Sequence, residues 1–154
     1  MRNVDHEDNI LRTFILFVQT AQAIMKYANI HLYRKTRLST TKLIALRVLA
    51  NNNGTMRPSE LAEWTQTERH NITTLIDRMK RDGLVTTERN SINKRHLDVT
   101  LTDKGHEVLS QAMPVAKDIV DHVMSSFTDV DVVPLENSLR VLGQNVHHGL
   151  EHDS

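Results

Sequence analysis

The chain has 154 residues and a formal net charge of zero, enough for one small domain with helical extensions. It contains no cysteine, which excludes disulfides, a thiolate nucleophile and thiol-based redox sensing. It has no apolar run of about eighteen residues, so no membrane-spanning helix is expected. The opening MRNVDHEDNI is polar and acidic, unlike a signal peptide, and a cytoplasmic protein is expected.

The zero total conceals a polarised chain. Residues 1–56 carry +5, 57–68 carry −2, 69–95 carry +4 and 96–154 carry −7. Attraction to phosphate is local, over roughly 8 Å at physiological salt, so a neutral total does not exclude a nucleic-acid partner.

From about Asp8 to Tyr33, apolar residues at Ile10, Phe14, Phe17, Val18, Ala21, Ile24, Met25 and Ala28 predict a long helix. A small domain cannot cover all of that stripe, so part of it is expected to pack on another chain. Ser39 suits the N-cap of a second helix through Leu43, Leu46 and Leu49, which the cluster Asn51-Asn52-Asn53-Gly54 stops.

Pro58-Ser59-Glu60 opens a third, short helix carrying Leu61 and Ala62, because a first helical turn tolerates the missing proline N–H. A fourth helix begins near Thr67. Its Ile72, Leu75, Ile76 and Met79 step by three, one and three, the spacing of one buried stripe, and Gly83 ends it. Two short helices across a tight turn make a helix-turn-helix candidate, in which the second presents its outer face to a partner.

Leu84–Arg89 and His96–Leu101 are short, β-branched segments, the second apolar at alternate positions. With Asn90–Arg95 between them they predict a hairpin with a basic tip. Thr102-Asp103-Lys104-Gly105 opens another helix, in which Pro114 is expected to make a kink or a break. Thr128-Asp129-Val130-Asp131 has capping-box spacing with Asp as the fourth residue, and starts a last helix through Leu135, Leu139 and Leu142. The fold class is therefore mainly α: a winged helix-turn-helix with a two-stranded β-wing, flanked by long helices.

The stretches LSTTKLIALRVL, MRPSELAEWTQTERHNITTLIDRMKRDGLV and NKRHLDVTLTDKGHEVL resemble the MarR family of transcriptional regulators, closely over about residues 38–109. The resemblance implies a homodimer, with residues 1–36 and 112–154 as the dimerisation region and 37–111 as the DNA-binding domain. Two positions depart from the family's habit. Asn93-Lys94-Arg95 stands where an Asp-x-Arg wing motif is common, so any salt bridge from that carboxylate is missing. Gln66 occupies a turn position that is often Gly, where a left-handed backbone would be strained.

The chemistry of the residues points to DNA independently. On a helix lying in the major groove, Arg69 can donate twice to guanine O6 and N7, and Asn71 can pair with adenine N6 and N7. Thr67, His70, Thr73 and Thr74 share the early turns, and Arg78 lies further along, suited to phosphate. At the wing, Asn93, Lys94 and Arg95 are the candidates for a minor groove or backbone contact. Ser39 and Thr41 are candidate phosphate contacts, although N-capping explains Ser39 equally well.

The family also implies a small effector, often aromatic or phenolic, between the dimerisation helices and the DNA-binding lobe. Ile24, Ala28, His31, Leu32 and Leu46 are the candidates, with plain core packing as the ordinary alternative. The expected function is a sequence-specific, ligand-responsive repressor on a roughly palindromic operator, with double-stranded DNA and a second copy of itself as partners. No cofactor and no membrane are expected.

Two alternatives stand beside it: a winged helix that binds protein, and a metal-sensing version of the regulator. His147, His148, Glu151 and His152 suggest metal ligands by spacing, as do His106 with Glu107 and His122 with Asp118, but helix-surface pairing explains them. No GxSxG, HExxH or glycine-rich phosphate loop occurs, and no enzyme is expected.

Overall fold

The computed structural model describes residues 2–90, 92, 93 and 95–152; side chains at 2–7, 69, 151 and 152 lie outside that description. The elements run α1 (Arg2–Thr36), α2 (Thr40–Asn51), β1 (Thr55–Met56), α3 (Pro58–Trp64), α4 (Arg69–Arg81), β2 (Val85–Arg89), β3 (Leu97–Leu101), α5 (Asp103–Val123) and α6 (Asp129–His152). They form two compact units, residues 1–119 and 120–154.

The first unit is built around one core. Leu32 of α1 and Leu43, Leu46 and Leu49 of α2 meet Leu61 of α3 and the α4 stripe Ile72, Leu75, Ile76 and Met79. Val85, Val99 and Leu101 close it from the sheet. The expected division of roles at residue 36 is thus not a division of packing, because the end of α1 shares the core of the helix-turn-helix.

The sheet contains the expected two-stranded wing and one strand more. The β2–β3 hairpin pairs Val85 with Leu101 through Arg89 with Leu97, but β1 adds a third strand, pairing Thr55 with Thr100 and Met56 with Val99. Two residues are too few to show alternation, which is why β1 is invisible to pattern reading. Pro114, expected to kink or break its helix, lies inside an α5 that continues to Val123.

The segment 102–105 locks the wing to α5. The Thr102 hydroxyl donates to the Gly83 carbonyl at 2.7 Å and accepts from the Gly105 N–H at 3.0 Å, capping the helix while tying it to the end of α4. Thr102 N–H also donates to the Leu84 carbonyl at 3.1 Å.

In the second unit α6 is capped by Thr128. The Asp131 carboxylate accepts from both the Thr128 N–H (2.9 Å) and its hydroxyl (2.7 Å). This is the half of a capping box in which the fourth residue reaches back. Hydrogen bonds from the Thr128 hydroxyl and then its N–H hold the exposed Asp131 carboxyl below its ordinary pKa. Among the described residues, no helix is long and apolar enough to cross a membrane.

Candidate nucleic-acid interface

The helix-turn-helix begins where the Arg57 N–H donates to the Glu60 carboxylate at 2.9 Å, satisfying an otherwise unpaired donor at the start of α3. The turn after α3 has Gln66 at φ 52°, the left-handed conformation that its side chain does not favour. It is held by a Schellman arrangement: Thr67 N–H donates to the Ala62 carbonyl at 2.9 Å and Gln66 N–H to that of Glu63 at 3.2 Å. The Gln66 side-chain amide adds a 2.9 Å bond to the same Glu63 carbonyl, which glycine could not make. The end of α4 repeats the motif with glycine. Gly83, at φ 75°, bonds to the Lys80 carbonyl, and Leu84 to that of Met79.

The buried stripe of α4 turns His70, Asn71, Thr73, Thr74 and Arg78 outward. Arg69 is the first residue of α4, and its side chain lies outside the description. Thr67 sits in the turn, its hydroxyl 2.9 Å from that of Thr65, and His70 pairs with Glu68 at 3.3 Å.

Positions far apart in sequence come together here. Ser39, Thr41 and Lys42 of the α2 start, with Asn29 of α1, face Thr67, Asn71, Thr74, Leu75 and Arg78 across a cleft of about 380 Å³. No carboxylate lines it among the described residues. Ser39 also caps α2, accepting from the Lys42 N–H at 3.3 Å, so capping and surface placement coexist. Lys42 is tied to the Asp82 carboxylate at the far end of α4.

Sequence reasoning missed Asn29, whose side-chain oxygen accepts from the Thr40 N–H at 2.9 Å and joins α1 to α2. An Asn on a long helix carries no local mark of such a role.

The wing is held without the missing carboxylate. The Asn90 side-chain oxygen accepts from the N–H groups of Ile92 and Asn93, both at 3.0 Å. Its amide donates to the Asp98 carboxylate at 2.7 Å. Asn93 in turn accepts from the Arg95 N–H at 3.2 Å through its side chain and from the His96 N–H at 2.9 Å through its carbonyl. Asparagine oxygens therefore organise the tip, and the Arg95 side chain stands exposed on it. Lys94 lies outside the described residues. Asn90 was not singled out by sequence, although an Asn side chain bonding the backbone two residues on, as Asn90 does to Ile92, is the Asx turn.

The effector candidates divide. Leu32 and Leu46 are fully buried members of the core. Ala28 and His31 are half-buried, with the His31 ring 4.1 Å from that of Tyr27, and Ile24 is exposed. None of the five lines the cleft of α4. Among the described residues, no three His, Cys, Asp or Glu side chains group as metal ligands.

Comparison with known proteins fits this geometry. The model of the MarR family matches residues 38–96. Transcriptional repressor MprA of Escherichia coli is 27% identical over 106 residues, 68% of this chain, which spans 60% of that repressor's length. The structure of Sco3205, a MarR family transcriptional regulator from Streptomyces coelicolor in complex with DNA, superposes with a TM-score of 0.83. It is 24% identical, over 92% of this chain and 91% of its own. The organohalide-sensing regulator RdhR-CbdbA1625, in its 2,4-dichlorophenol-bound form, superposes with a TM-score of 0.79 at 24% identity, over 90% and 80%.

Proposed function

We propose that this chain, similar to the MarR family over residues 38–96, is a DNA-binding transcriptional regulator of that family that represses from a roughly palindromic operator as a homodimer. One observation carries the reading: Ser39 and Thr41 share a cleft, free of carboxylates among the described residues, with Thr67 of the turn and with Asn71, Thr74 and Arg78 of the outward-facing α4. A phosphate strand following that cleft sets the register of α4 in the major groove. Arg69 and Asn71, on its first turn, read base edges, and Arg95 at the wing meets the minor groove or the backbone.

Homodimerisation is the reading of the uncovered apolar faces. Ile10, Phe14 and Phe17 of α1, and Leu139, Leu142, Val146 and Leu150 of α6, are all exposed in the single chain. Exposed apolar area on this scale is characteristic of a subunit interface. Two-fold symmetry then spaces the half-sites about 34–36 Å apart, one helical turn.

A small aromatic or phenolic molecule acting near Ile24, Ala28 and His31 is the proposed effector, with Leu32 and Leu46 as packing behind it. The relative bound to 2,4-dichlorophenol supports the ligand class.

The test is selection of bound fragments from the source genome, followed by footprinting and light scattering. A protected pair of half-sites one turn apart, and the mass of a dimer, are expected. A monomer with no preferred fragment overturns the reading in favour of a protein-binding winged helix.

A further inference from the structure

Ile92 is 96% exposed, the most exposed large apolar side chain among the described residues. Most of the others lie along α1 and α6, on the faces proposed above to pack on a second subunit. Ile92 stands instead at the end of the wing, in the polar run Asn90-Ser91-Ile92-Asn93.

It is also held there. Its N–H bonds to the Asn90 side chain, and Asn90 is anchored on β3 through Asp98. The hairpin thus carries a branched hydrocarbon at its tip, on a residue whose N–H is bonded, three residues from Arg95. A solvated loop end gains nothing from isoleucine, whose side chain remains hydrated on every side.

We propose that Ile92 is an apolar reader of the minor groove, entering beside Arg95 and favouring base pairs without an amino group on the groove floor. This rests on the DNA-binding reading above. The groove walls are deoxyribose hydrocarbon, against which an isoleucine buries surface, and architectural proteins place apolar side chains in the same groove. Guanine projects its N2 amino group into that groove, whereas A·T pairs do not. A branched alkyl group pressed against that amino group desolvates a donor and offers it no acceptor.

The experiment uses the full-length protein and the selected operator, altered only at the pairs beneath the wing. Those pairs are made A·T, G·C or inosine·C, the last keeping the major-groove face of G·C without the N2 amino group. Wild type is expected to bind the A·T and inosine·C operators alike and the G·C operator more weakly. The Ile92→Ser protein should lose roughly four- to tenfold on the first two, the scale of half-burying one isoleucine, and much of the discrimination. Its log–log salt slope should match wild type, because an apolar contact releases no counterion. Ile92→Val should keep the preference, and thermal midpoints should coincide, since the side chain is almost fully exposed.

Equal binding by wild type and Ile92→Ser on all three operators overturns the proposal while leaving DNA recognition intact. Inosine·C behaving like G·C also overturns it. Absence of any wild-type preference for operator over scrambled DNA removes the DNA-binding reading itself, and this proposal with it.

Discussion

Gly105 lies so close to Leu84 that a β-carbon on Gly105 would overlap the Leu84 carbonyl oxygen, and it would also stand 2.6 Å from Leu101 Cδ1. The glycine is needed for space, not for backbone freedom. It lets the first turn of α5 sit against the chain entering β2 and leaving β3, where Thr102 bonds to both Gly83 and Gly105.

Gly105→Ala is therefore expected to destabilise the fold by about 1–3 kcal/mol, the usual range for an overpacked contact. The neighbouring oxygen belongs to the backbone and cannot swing away. Urea unfolding should show a lower midpoint with an unchanged slope. Alanine tolerated without loss would mean that α5 can shift off the hairpin.

Gln66 offers a second stability test. Its left-handed backbone is strained for a side chain by about 1–2 kcal/mol, offset in part by the bond from its amide to Glu63. Gln66→Ala removes the bond and keeps the strain, so a loss of about 1 kcal/mol is expected. Gln66→Gly removes both and should unfold at or above the wild-type midpoint. The reverse ranking of Ala and Gly would contradict the left-handed turn.

Acidification should loosen the start of α6. The folded pKa of Asp131 is lowered, so its stabilising contribution is present above the unfolded value, about pH 4, and is lost as pH falls through the folded value. Carboxyl titration by NMR should place Asp131 below an ordinary aspartate. Thr128→Val removes the hydroxyl donor and should raise the midpoint while the N–H bond keeps part of the shift. An Asp131 titrating normally in wild type would show that the cap does not form.

The helix and the wing should separate in binding. Asn71→Ala and Arg69→Ala are expected to cost about 1–3 kcal/mol and to relax preference at one position per half-site. Arg95→Ala should weaken operator and scrambled DNA more evenly and flatten the log–log salt slope by roughly one unit for each phosphate it leaves unneutralised. Equal losses on both DNAs for all three variants would remove base reading from α4.

Local periodicity by itself determined most of the elements. Ile72, Leu75, Ile76 and Met79 mark one face of α4, and alternation through Leu97, Val99 and Leu101 marks β3, because a side chain's direction repeats with the backbone that carries it. Turn chemistry at Gly83 and the cap at Ser39 are equally local.

Tertiary structure alone decided the rest. Leu32 on α1 and Leu46 on α2 are apolar residues of two separate helices, and such positions serve a core or a pocket alike; only the neighbours packed against them make them core. Strand β1 exists because β3 lies beside Thr55 and Met56, not because two residues favour a strand. Asn29 reaches Thr40, Ser39 reaches the cleft of α4, and Gly105 meets Leu84 only once distant segments have been brought together by the burial of the apolar stripes between them.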